Sequence, residues 1–200
     1  VTANPYANRL RDRTFHYTDY LIDEWNDDIG TILPEDVREA ALDTADEYPN
    51  KRLIVHFMQP HRPYLGPTAD ELRERINLKG YRNQGDGVQI WGAVKEQKVT
   101  KEEIRQAYGE SLDIVLKEVE SLVRSLGGKT VVTADHGEML GERVSPLTTR
   151  VWGHSEGFST RLLRKVPWLT IEADKRRTIR ADQPEESADI REDTISERLE

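Results

Sequence analysis

Residues Thr100 to Glu142 constrain the fold of this chain more than any other stretch. Thr100 and Glu103 have the spacing of a capping box, in which a hydroxyl and a carboxylate satisfy each other's backbone amides at a helix start. Ile104, Tyr108, Leu112, Val115, Val119, Leu122 and Leu126 then recur every three or four residues, which predicts a helix from Thr100 to Leu126 with one apolar and one charged face. Gly127-Gly128 stops it, because glycine reaches backbone angles that end a helix. Thr130-Val131-Val132-Thr133 comes next as a short β-branched run, read as a buried strand. A helix feeding such a strand is one αβ unit, so the chain belongs to the α/β class. The strand runs out into Asp135-His136-Gly137-Glu138. In open α/β sheets ligands bind beyond the carboxyl ends of the strands, where the loops diverge. Asp135 and His136 offer a hard oxygen and an imidazole nitrogen, a pair suited to Zn²⁺ or Mn²⁺, and Gly137 permits a tight turn or close approach. The competing reading is a polar turn in which Asp135 merely caps the next few residues.

The rest of the chain repeats that layout. Arg52 to Met58 is nearly continuous in apolar character and reads as a second strand covered on both faces. It runs into Gln59-Pro60-His61-Arg62-Pro63-Tyr64, where two prolines stiffen a turn that carries His61. His56, inside the run, reads either as a satisfied core imidazole or as a site residue. Leu33-Pro34-Glu35-Asp36 resembles a helix start, with Val37, Ala40, Ala41 and Ala45 at helical spacing and Tyr48-Pro49-Asn50 closing it. A short helix is expected over Asp19 to Asp28. Residues Pro67 to Val99 read as a surface excursion with one short helix at Ala69 to Ile76, either a lid or an insertion without catalytic duty. Arg143 to Ser159 reads as a loop in which Gly153 frees the backbone beside His154, and Lys165 to Ile171 as a third strand. His16, among aromatics, is read as packing. Residues 1–172 make the α/β domain, and residues 173–200 a charged tail whose last residues, Asp193 to Glu200, begin a helix.

Composition excludes several function classes. With 36% hydrophobic residues in a 200-residue chain there is enough apolar material for a real core. A net charge of −8 without a broad basic stripe argues against nucleic acid as a partner, since backbone phosphates require clustered Lys and Arg. The absence of cysteine removes disulfides, thiolate metal sites and a Cys nucleophile. No apolar run approaches the ~20 residues of a membrane helix, and Val1 opens no signal-like pattern, so a cytoplasmic location is expected.

Taken in order, the His56-to-Tyr64 segment, the Thr133-to-Glu142 segment, Trp152-Gly153-His154 and Lys165 to Leu169 resemble the sulfatase branch of the alkaline phosphatase superfamily. The likeness runs through most of residues 50–171, and Asn4-Pro5 with the first helices is similar to sulfatase-like proteins of halophilic archaea. The resemblance implies an alkaline phosphatase-like three-layer α/β/α fold with a mostly parallel central sheet. It implies a metal-dependent hydrolase of sulfate esters acting on a small-molecule or glycan sulfate or phosphate ester. Asp135 and His136 are then metal ligands, His61 and His154 are catalytic groups approaching the ester oxygens, and Glu138 supports His136 or its loop. In two-metal relatives the position of His154 binds the second ion instead. The implied cofactor is a divalent metal, Ca²⁺ by family and Zn²⁺ or Mn²⁺ by the Asp-His pair. Cleavage of such esters needs charge neutralised on the non-bridging and leaving oxygens, which a cation and imidazolium donors in a preorganised cleft provide.

One element of the family pattern is missing. Neither the Cys/Ser-x-Pro-x-Arg nucleophile motif nor a strand ending in paired aspartates precedes residue 50, and Ser145-Pro146 lacks the motif's spacing. The expectation is therefore a C-terminal portion of the enzyme, inactive by itself. Three alternatives stay open: a phosphodiesterase or phosphoglycerol transferase of the same superfamily, a sulfatase-like domain that binds without catalysis, and a plain structural α/β domain with its histidines scattered in space.

Overall fold

Thr100 starts the longest helix as its spacing requires. Its hydroxyl accepts from the Glu103 amide at 3.2 Å while the Glu103 carboxylate accepts from the Thr100 amide at 2.7 Å. In this computed structural model, which describes residues 1–4, 24–77, 89–144, 149–154, 157 and 159–183, nine elements are ordered along the chain. They are α1 (Pro34–Glu47), α2 (Pro67–Ile76), α3 (Ile90–Lys95), α4 (Lys101–Ser125), β1 (Thr130–Thr133), β2 (Met139–Arg143), β3 (Arg150–Gly153), α5 (Arg161–Arg164) and β4 (Trp168–Ile171).

The apolar stripe of α4 buries Ile104, Ala107, Val115 and Leu122 against α1, α2 and β2. Polar groups fix the register between these helices. The Arg38 Nε on α1 donates to Glu118 at 2.7 Å, and the Glu110 carboxylate accepts from both the amide and the hydroxyl of Thr68 in the first turn of α2. That carboxylate fills the place of a helix cap, where backbone amides lack partners and negative charge is favoured. Gly66, which precedes α2, has φ +105° and would bring a Cβ to 2.9 Å from the Glu110 Cβ, so the close approach needs glycine. The larger core gathers Tyr64, Leu72, Ile90, Ala93, Val99 and Ile104, and a smaller one gathers Ala3, Ile32, Val37 and Ala40.

The chain is mixed α and β, as expected, with its described strands in two small antiparallel sheets rather than one parallel sheet. β1 pairs with β4 in the register Thr130↔Ile171 to Thr133↔Trp168, and β2 pairs with β3 from Met139↔Gly153 to Arg143↔Arg150. Within the loop expected over Arg143 to Ser159, Arg143 ends β2 and Arg150–Gly153 forms β3. β1 is not buried on both faces. Its outward residues alternate with half-buried ones, and Val131 is 38% exposed, because only the thin β4 partners it among the described residues.

Residues 52–58 are extended but form no strand. A strand requires a ladder, and among the described residues this segment has only a parallel bridge, with Ala3 N donating to His56 O and His56 N to Val1 O, both at 3.0 Å. Its expected burial on both faces is also absent, with Ile54 76% exposed. Of the helix expected over Asp19 to Asp28, the described residues Glu24 to Asp28 form a turn closed by Asn26 and Thr31. The surface excursion over Pro67 to Val99 holds two helices rather than one, α3 being the addition. Residues 174–182 run back across the chain, with Arg180 N donating to Asn50 O, Arg177 to Pro49 O and Lys51 to Asp182. His16 and the helix expected at Asp193 to Glu200 lie outside the described residues. Among the described residues no helix is long and apolar enough to cross a membrane.

Candidate functional site

β1 ends where the Thr133 hydroxyl donates to Pro167 O at 2.7 Å, and the chain then turns through Ala134. The Asp135 carboxylate accepts the His136 amide at 2.9 Å, a local bond of the kind that stabilises turns. Gly137 comes against α5, where its amide donates to Leu163 O at 2.8 Å. A Cβ at this position would stand 2.1 Å from Leu162 O, so the contact requires glycine. The loop is thereby pinned between β1 and α5 with His136 on one side of the glycine and Glu138 on the other.

Glu138 leads directly into β2. Since Met139 pairs with Gly153, the next position along the hairpin sets Glu138 beside His154. The His154 Nδ1 donates to the Glu138 carboxylate at 2.6 Å, across 16 residues of sequence. Gly153, at φ +76°, turns the chain there, and Trp152 packs on Trp91 with ring centroids 5.6 Å apart. The Arg62 guanidinium lies 5.8 Å over the Trp91 ring.

His61 arrives from a third stretch. Gln59 is buried and its side-chain amide donates to Ile32 O at 2.9 Å, which anchors the turn. The His61 amide donates to Met58 O. The imidazole of His61 then sits 5.1 Å from that of His154, and His154 sits 4.3 Å from His136, measured between ring centroids. His56 closes the far side, its Nε2 at 4.0 Å from the Asp135 carboxylate, whose other oxygen is 3.7 Å from the His136 Nε2. The structure thus brings together Asp135, His136, Glu138, His154 and His61, and adds His56. Sequence alone leaves His56 divided between core and site. The signal for a site role is its place near the end of the same extended run that delivers His61.

The four imidazoles share one arrangement. Each commits its Nδ1 to an oxygen: His56 to the Thr2 hydroxyl at 3.1 Å, His61 to Arg62 O, His136 to Gly137 O at 2.9 Å and His154 to Glu138. A carbonyl oxygen can only accept, so His61 and His136 each carry a proton on Nδ1 and leave Nε2 outside that bond. Burial lowers the pKa of His56, and lowers that of His61 to about 4, with the neighbouring Arg62, His154 and His136 acting in the same direction. Burial therefore favours the neutral imidazole of His61, an acceptor at Nε2. Burial, and after it the Glu138 carboxylate, pushes the Tyr64 phenol above its ordinary range. The cluster has the chemistry to hold a cation or to take up a proton at Nε2.

No protein-family model, curated protein or solved structure matches this chain.

Proposed function

We propose that this chain forms the metal-binding wall of the catalytic cleft in a divalent-metal-dependent, sulfatase-like hydrolase of sulfate or phosphate esters. The observation that carries the reading is convergence. Residues 56–61, 135–138 and 154 come from three separate stretches, and their imidazoles and carboxylates meet beyond the end of β1. A plain structural domain has no need to gather all four of its described histidines at one strand end.

The donor set fits a divalent cation. His136 presents Nε2 with Nδ1 held by a backbone carbonyl, the arrangement that orients ligating imidazoles, and Glu138, two residues on, brings a carboxylate to His154. A bound ion would supply Lewis-acid polarisation of the ester oxygens. The chain's own residues do the rest. His61, neutral and held by Arg62 O, accepts a proton at Nε2 from an attacking oxygen. His154 stands between His61 and His136, oriented by Glu138. Trp91, Trp152 and Arg62 form an apolar and cationic rim suited to an anionic ester on an organic group.

The same reading places residues 52–58 and β1 as parallel members of a central sheet in a three-layer α/β/α arrangement. The support is the order of contacts along the two segments. His56 meets Asp135 at one end, and Arg177 joins Pro49 to Gly128 at the other.

The test is a panel of aryl sulfate, aryl phosphate and aryl phosphodiester, with Zn²⁺, Mn²⁺ or Ca²⁺ added, alongside titration with vanadate as an oxyanion probe. Metal-dependent turnover, or metal-dependent vanadate binding that His61→Ala abolishes, supports the reading. A protein that neither cleaves any of the three esters nor binds vanadate with any of the metals overturns it.

A further inference from the structure

The metal-binding group can be named more closely than the adjacent Asp-His pair suggests. We propose that His136, Glu138 and His154 together hold one zinc-class divalent ion through two imidazole nitrogens and one carboxylate oxygen, and that Asp135 lies outside this set. The proposal deepens the hydrolase reading and rests on it for the reaction, not for the binding.

Ligand atoms of His136, Glu138 and His154 all lie within 4.8 Å of one another, and these three are the group among the described residues that meets that condition. Asp135 does not join them. Its carboxylate is 66% exposed; one oxygen takes the backbone amide of His136 and lies 3.7 Å from that ring's Nε2, the other lies 4.0 Å from His56, and it is not within the mutual 4.8 Å reach that joins His136, Glu138 and His154. Glu138 is the opposite case, with its side chain only 10% exposed and its one hydrogen bond among the described residues made to His154. A carboxylate withdrawn from water is costly unless a cation or several donors balance it, and one imidazole N–H leaves most of its acceptor capacity unused. An ion between Glu138 and the two rings supplies that balance.

The ligands stand on rigid supports. Gly137 is held against Leu162 and Leu163 of α5, which fixes the loop carrying both His136 and Glu138. The Met139↔Gly153 pairing sets His154 by strand register rather than by a free loop. Sites built on strand ends hold their geometry more tightly than sites on loops.

The donor set also selects the ion. Two imidazoles and one carboxylate with coordination positions left over is a catalytic zinc pattern. Calcium takes six to eight oxygen ligands, which three side chains of this kind do not provide, so Ca²⁺, the ion implied by the sulfatase resemblance, is the wrong one here. His61, with its ring next to His154, borders the open side of the set.

The experiment is calorimetric titration of tag-free protein with Zn²⁺ and, separately, Ca²⁺. It is repeated on Glu138→Gln, His154→Ala, His136→Ala and Asp135→Asn, with circular dichroism as the folding control. One zinc per chain is expected, with no measurable calcium binding. Glu138→Gln, which keeps an acceptor for His154, should weaken zinc by about tenfold or more, the two histidine variants should weaken it further, and Asp135→Asn should leave it unchanged. Absence of zinc binding, or a loss in Asp135→Asn as large as in Glu138→Gln, overturns the assignment. Cobalt substitution of the unaltered protein gives a reading independent of any variant. Intense visible bands of a four-coordinate nitrogen and oxygen site support the set, and the weak spectrum of an octahedral all-oxygen site overturns it. Zinc bound by these residues with neither ester turnover nor metal-dependent vanadate binding leaves the inference standing and removes the hydrolase reading. Turnover in a protein whose zinc affinity ignores Glu138 and His154 does the reverse.

Discussion

Two regions of this protein handle apolar surface in opposite ways. Around α4, the side chains of Leu72, Ile104 and Ala107 are closed off by α2, α3 and β2, and ion pairs such as Arg38–Glu118 bind the rims. Along β1, β4 and residues 52–58, apolar groups face outward, with Trp168 72% and Leu169 57% exposed. The site lies at the seam. Glu138 and His154 belong to the hairpin that leans on the closed region, while Asp135 and His56 belong to the open one. The difference teaches that the half holding the proposed ion is supported by packing, whereas the facing half relies on a few backbone bridges.

Mutations can break that contrast. The largest effect is expected from Ile104→Ala, where a fully buried side chain leaves a cavity in the closed region. A loss of about 2–5 kcal/mol should appear as a lowered denaturation midpoint, and a loss near zero would mean that the helical core is not the main source of stability. Gly137→Ala should come next at about 1–3 kcal/mol, since the added methyl meets Leu162 O and the backbone must shift. It should also weaken zinc binding measured on the same sample. Thr100→Ala removes the cap of α4 and should lower stability by about 0.5–2 kcal/mol.

A smaller effect is expected from acid. Arg75 first, and then the Thr100 amide, hold Glu103 at about 2, below its usual 4.5. A carboxyl lowered in the folded state contributes stability above its unfolded value and loses it as pH falls through its folded value. Stability should therefore decline from about 4.5 down to about 2. Glu103→Gln should flatten that part of the acid curve in denaturation measured across the window. The smallest effect belongs to the open region. Leu169→Ser should change stability by no more than about 0.5 kcal/mol, and a loss comparable to that of Ile104→Ala would show that the ribbon is covered in solution.

How much of the molecule is legible in its sequence depends on the range of the forces involved. α1, α2 and α4 are readable because their signals are local: proline in the first turn of the first two, a capping box in the third, and apolar stripes at helical spacing. Residues 130–133 and 52–58 look alike in composition, yet only the first finds a strand partner among the described residues, and that partner lies more than thirty residues on. Pairing is a property of the partner as much as of the segment, so composition cannot decide it. The β2–β3 hairpin is hidden for the same reason. Leu140 and Glu142 straddle an irregularity in its register, which spoils the alternation that would have marked the strand. That Asp135, His136, His61 and His154 fall in one neighbourhood is readable, because each sits beside a glycine, a proline or a strand end. That Glu138 meets His154 is not, since only the hairpin register brings them together.

The bridges on residues 50–56 have one more consequence, in time rather than in energy. The Val1 nitrogen donates to Ile54 O at 3.0 Å, Val1 O receives the His56 amide, and Arg180 N reaches Asn50 O, so two stretches far apart in sequence clamp one short segment. Amide exchange there is set by how often those stretches lift away, not by any ladder of its own. The His56 amide becomes a clock for the first residues and the Arg180 amide a clock for the returning tail. Because His56 faces Asp135, each opening at Val1 is felt one side chain away from the imidazole cluster.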